Sequence, residues 1–199
     1  MNPAPRSRPA DLLIVGIPSI GLIVLAIVLG AQAENVLFAR VLYTVRVTMV
    51  LFTVSLGLYI LPGMTEQRGR YWLAFSLFAF LSYVVHVYYS FFLFFHGSVS
   101  EFYMTQGAVV ATINVIITVW WTADIVLAWV STSGEHWIVV ERDWIHGVIF
   151  GTFFVSTVLL HAVDNKQPFV IVLGVIMGIV ALVCFVIRIR AHQPPAAGT

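Results

Sequence analysis

The chain has 199 residues, 60% of them hydrophobic and only 10% charged, with a formal net charge of +1 and a mean hydropathy of +0.98. A soluble domain usually carries about 25% charged residues, so the composition leaves too little polar material for a water-facing surface. Ten basic residues scattered along the chain form no nucleic-acid stripe, and the single cysteine, Cys184, excludes intramolecular disulfides, iron–sulfur ligation and covalent c-type haem attachment.

About 20 apolar residues cross the hydrocarbon core as a helix. Six runs of that kind follow one another near residues 11–30, 38–61, 71–95, 106–130, 144–162 and 169–188. The expectation is an all-α, polytopic membrane helix bundle with six transmembrane helices, forming a single integral membrane domain over residues 1–199. The runs are continuous, without the short alternating segments of a β-barrel. In the first, Leu12 to Gly30 is uncharged. Arg6 and Arg8 precede it and Ala31-Gln32-Ala33 follows it as in a signal peptide, but the run is long for a cleaved leader and reads as a span.

The second run carries Arg46, roughly 12 Å in from its outer end and able to snorkel back towards the headgroups. In the third, His86 lies among Tyr83, Tyr88, Tyr89, Phe91 and Phe92, which line a cofactor or pack against lipid. His96 and Glu101 follow in the next connection. Along the fourth run Gln106, Asn114, Thr118, Trp121 and Asp124 fall within about 120° of one another, a polar stripe pointing into the bundle. His146 and His161 mark opposite ends of nearly one face of the fifth run, with Asp164 just beyond. The sixth holds Gly174-x-x-x-Gly178, which permits close helix contact. No connection is longer than roughly fifteen residues, and no glycine-rich phosphate loop is present, so a nucleotide-binding domain has no place.

Arg6, Arg8, Arg68, Arg70, Arg142, Arg188 and Arg190 fall on one side of this arrangement, against Arg40 and Lys166 on the other. Seven against two predicts both termini in the cytoplasm of a cell whose inner (plasma) membrane holds the protein. The expected partners are membrane lipids, other membrane subunits or a second copy of the chain, and no nucleic acid.

Intramembrane ionisable groups carry what functional information there is. His86 and His161, at similar depth on two helices, have the placement of axial ligands to one b-type haem, with Arg46 answering an anionic group such as a propionate. This resembles, in a general way, the bis-histidine membrane cytochromes, including the ferric-reductase group, and the resemblance implies a haem between two helices. Those proteins have two well-separated histidines on each helix. Here His86 and His96 are about 15 Å apart and both outward, and no span offers an inner partner for His146, so a single haem is expected rather than a stacked pair.

Alternatively, His86, His96, Glu101, His161 and Asp164 supply mixed imidazole and carboxylate ligands for a transition metal. A second class of function, a proton-coupled transporter or channel, would use Asn114, Thr118, Asp124 and His146 as its polar pathway. In a third, the protein is a structural or assembly subunit: Asp124 bonds a neighbouring span, and Arg46 pairs with Glu101 or Asp164 to set helix register. No catalytic set is readable, and whether the chain is an enzyme is left open.

Overall fold

The computed structural model of the chain describes residues 8–63, 65–130, 136–155 and 168–191. Its helices are α1 (Pro9–Gly30), α2 (Val36–Ile60), α3 (Glu66–Val87), α4 (Val99–Gln106), α5 (Ala108–Val130), α6 (His136–Phe154) and α7 (Pro168–Ala191). A π-helical segment, Tyr88–Phe94, prolongs α3. Among the described residues there is no strand.

Local chemistry sets the starts. Asn35 accepts from the Phe38 amide at the head of α2, Thr65 from Arg68 at α3, and Ser98 from Glu101 at α4. Each satisfies an amide that has no partner within its own helix. The π segment ends where His96 and Gly97 take left-handed backbone angles (φ 52° and 70°). Gly107, at φ 77°, then separates α4 from α5.

Among the described residues five helices are long and apolar enough to cross a membrane: Pro9–Gly30, Val36–Ile60, Glu66–Phe94, Ala108–Val130 and Ile171–Ala191. They correspond to five of the six expected runs. The expected span at 144–162 differs. Its helix begins at His136, eight residues before the apolar run, and takes in Glu141, Arg142 and Asp143. Residues 156–162 of that span lie outside the described residues. The short helix α4, in what reads as a connection, is also new: Ser98 caps it and Gly107 stops it.

In lipid, burying an apolar side chain gains little over leaving it outside, so close packing and interhelical hydrogen bonds decide association. The bundle is built accordingly. α2 runs through its middle against α1, α3 and α7, while α5 packs on α3 and α6. Small and hydroxylated side chains, among them Thr44, Thr48, Ala74, Ala79 and Ser82, are fully buried on α2 and α3. Thr48 Oγ1 donates to Ser82 Oγ at 3.1 Å, and Ser82 donates to the Thr44 carbonyl at 3.4 Å. A Cβ on Gly16 would sit 2.5 Å from Phe78 Cζ, so α1 approaches α3 only because that residue is glycine. Gly178 of the expected small-residue motif plays the same part, its Cβ position being 2.8 Å from Phe154 Cε2 across α6 and α7. Large apolar residues such as Leu13, Ile17, Val119 and Leu182 point outward.

Arg70 of α3 binds Asp11 of α1 at 2.9 Å and Glu66 at 2.6 Å. Tyr59, near the end of α2, donates to Asp143 of α6 at 2.7 Å. These contacts gather the starts of α1, α3 and α6 and the end of α2 at one end of the bundle. Arg8, Arg68 and Arg142 belong to the same end, called here the basic end.

A candidate site at the basic end of the bundle

The polar stripe on α5 comes in two parts. In the outer part Asn114 donates to Gln106 at 2.8 Å, and the Thr118 hydroxyl donates to the Asn114 carbonyl at 2.8 Å. With its hydrogen so used, the Thr118 oxygen accepts from Tyr83 of α3, also at 2.8 Å. Next comes an aromatic layer. Trp121, 1% exposed, packs edge-on against Phe52 and Phe80, with ring centroids 5.6 and 5.7 Å away. The inner part lies below it, at Asp124.

Asp124 is fully buried. Its Oδ1 accepts from Arg142 Nε at 3.0 Å, and its Oδ2 is buried with no hydrogen-bond partner among the described residues. The Arg142 guanidinium also lies over the Trp72 ring, 5.0 Å from its centroid. One turn back on α5, Trp120 Nε1 donates to Glu141 Oε1 at 2.7 Å, leaving Glu141 Oε2 buried and without a hydrogen-bond partner among the described residues. Residues four apart on a helix face the same way. Trp120 and Asp124 on α5 therefore meet Glu141 and Arg142 on α6 as two successive clasps, which put the Glu141 carboxyl within electrostatic reach of Asp124 and Arg142.

His146 lies one turn further along α6. Its Nδ1 is 2.8 Å from the Arg142 carbonyl oxygen, and since a carbonyl can only accept, Nδ1 carries the hydrogen. The ring is held between Tyr59 (centroids 4.6 Å, 13°) and Phe52 (6.0 Å, 24°). His146 also lines a cavity of about 730 Å³ between α2, α6 and α7.

The expected sites at the other end come together less well. His86 Nδ1 is 3.0 Å from the Val41 carbonyl on α2, so it too donates from Nδ1. The residues of α2 that hydrogen-bond to α3 thus include Val41, Thr44 and Thr48. At about 100° per residue, Arg46 is turned roughly 140° from Val41 and 160° from Thr44 and Thr48. It points to the far side of α2, where its guanidinium lies 5.0 Å from the Tyr43 ring centroid and borders a groove against α1. Arg46 and His86 share a depth but not a face, so the structure does not bring them into one cofactor site. Nor does Arg46 answer Glu101, which pairs with the exposed His96 at 3.5 Å. Among the described residues no three His, Cys, Asp or Glu side chains come together to hold a metal. His161 and Asp164, the remaining members of the haem and metal sets, lie outside the described residues.

The sequence reading missed Arg142, Glu141 and Trp120 around Asp124, and Tyr59 and Trp72 around His146 and Arg142. The available signal was the charged triplet Glu141-Arg142-Asp143 directly before an apolar run. Placing the span's start at 144 put that triplet in a connection. The chain matches no protein-family model, and no curated protein or solved structure matches it.

Proposed function

We propose that the protein is a proton-coupled membrane transporter or channel, with Asp124 and its neighbour Glu141 as the proton-carrying groups. The observation that carries this reading is the state of Asp124: fully buried, with one oxygen on Arg142 and the other without a donor among the described residues. A carboxylate in a low-dielectric interior needs its lone pairs answered. One answered on a single side, with a second carboxyl group next to it, is a place to take up and give back a proton. Arg142 keeps the site's charge balanced while the proton comes and goes. The Phe52–Phe80–Trp121 layer separates this site from the Asn114–Thr118–Tyr83 ladder and acts as the barrier that a transport step must open. His146 and its cavity then serve as the approach from the basic end.

The test is flux through purified protein in liposomes that enclose a pH-sensitive dye. An imposed potential should drive proton movement that Asp124→Asn abolishes and Glu141→Gln reduces. Equal flux through the wild type and Asp124→Asn would contradict the reading.

A second reading, a b-type haem at the opposite end, draws support from one detail of His86. Its Nδ1–H is anchored on a backbone carbonyl, the arrangement that orients metal-binding imidazoles and leaves Nε2 to ligate. His161 would be the other ligand, and Arg46 would take no part. Freshly purified protein should show a Soret band that His86→Leu removes; intact protein without that band would refute this reading.

A further inference from the structure

The cavity between α2, α6 and α7 opens to one side, where Ile179, Leu182 and Phe185 are exposed, and combines a polar end with aromatic walls. Its volume, about 730 Å³, is within the range of pockets that take drug-sized ligands. One end is polar, with Tyr59, Asp143, His146 and Arg188 at the wall. The remainder is apolar and rich in flat rings: Phe150 and Phe154 stack on each other with centroids 5.7 Å apart, and Phe185 adds a third ring from α7. The sequence builds this shape directly. Residues four apart on α6 put Phe150 and Phe154 in line below His146, and Gly147 and Gly178 keep two wall positions free of side chains.

His146 selects the ligand. Its two faces are covered by Tyr59 and Phe52, and its Nδ1–H is spent on the Arg142 carbonyl. The neutral ring then carries its lone pair on Nε2, which has no hydrogen-bond partner among the described residues. Asp143 at the same end is a further acceptor. A rigidly held acceptor at the cavity wall, in a residue only 3% exposed and with no donor among the described residues, favours a ligand that donates an O–H. An anionic head would gain from Arg188 but face the Asp143 carboxylate and leave Nε2 without a donor, and a bare hydrocarbon would also leave Nε2 unanswered. The aromatic walls favour a flat ring on the head, and the apolar length favours a single tail.

We infer that this cavity binds a quinol-type amphiphile, a hydroxylated aromatic ring bearing an apolar tail, whose hydroxyl donates to His146 Nε2. The inference stands on the cavity and does not depend on proton transfer at Asp124. It is tested by calorimetric titration of the full chain in nanodiscs, under anaerobic conditions, with three probes: a decyl-substituted benzoquinol, its dimethyl ether and decylbenzene. The quinol should bind saturably at one site per chain. The ether and decylbenzene should bind about tenfold more weakly, as expected when one hydrogen bond to the ligand is lost. His146→Phe, which keeps the ring stack and removes the acceptor, should bind the quinol no better than the wild type binds the ether. Equal binding of all three probes by the wild type would overturn the inference and mark the cavity as a lipid groove. So would the absence of saturable quinol binding. Because the ether comparison uses the unaltered protein, a misfolded variant leaves the test intact.

Discussion

Asp124→Ala removes the carboxylate from a pair in which the Asp124 side chain is 1% exposed and that of Arg142 12%. Arg142 is then left buried without the carboxylate bonded to its Nε, and Glu141, already held by Trp120, makes no salt bridge to it. The Trp72 ring beneath it remains, but that contact exists before and after the change and so offsets nothing. Breaking a buried pair in this way costs about 3–5 kcal/mol, or roughly two to three and a half orders of magnitude in the folding equilibrium. Asp124→Asn keeps a carbonyl oxygen for Arg142 Nε–H and loses only the charge, so it should cost less, about 1–2 kcal/mol. Removing both charges in Asp124→Ala/Arg142→Met should recover most of the loss. The assay is reversible unfolding in mixed micelles with rising SDS, followed by helical circular dichroism. A loss under about 1 kcal/mol for Asp124→Ala would refute the buried-pair reasoning, as would a double variant no more stable than the single one.

Other substitutions probe the packing by the same unfolding assay. Gly16→Leu drives a side chain into Phe78 and should destabilise by about 1–3 kcal/mol through loss of the α1–α3 contact; an unchanged midpoint would mean the two helices are free to part. Tyr83→Phe deletes the donor to Thr118 and should cost about 1 kcal/mol, with no loss expected if the Thr118 ladder contributes nothing. Arg70→Met strands the buried Asp11 carboxylate and should cost more than Glu66→Gln, because Glu66 is 70% exposed and Asp11 9%. Equal costs would contradict that ranking.

Much of the helical layout is legible in the sequence, because a span's existence depends on local composition. α1 and α5 fall within two residues of the runs expected from hydropathy at 11–30 and 106–130, with differences that come from local caps. The polar stripe on α5 is legible for the same reason: helical periodicity alone puts Asn114, Thr118, Trp121 and Asp124 on one side. What meets that stripe is not, since α6 is brought to it by tertiary contacts. Glu141 and Arg142 look like connection residues until Trp120 and Asp124 are seen across from them. Among the described residues Arg46 and the Val41 contact of His86 lie on different faces of α2, for a geometric reason. Depth along the membrane normal follows from residue count, but the rotation of α2 relative to α3 is set by Thr44, Thr48 and Ser82, whose pairing no local pattern announces.

The proposed function requires that Asp124 and Glu141 hold a transferable proton, beyond acting as a fixed counter-charge for Arg142. Infrared difference spectroscopy of the membrane-reconstituted protein across a pH step decides between the two. A protonated-carboxyl C=O band should appear that shifts in D₂O, rises and falls with pH, and is lost in Asp124→Asn. A spectrum with no such band at any pH at which the protein stays folded, or one that Asp124→Asn leaves unchanged, would show a permanent ion pair and refute the proposal.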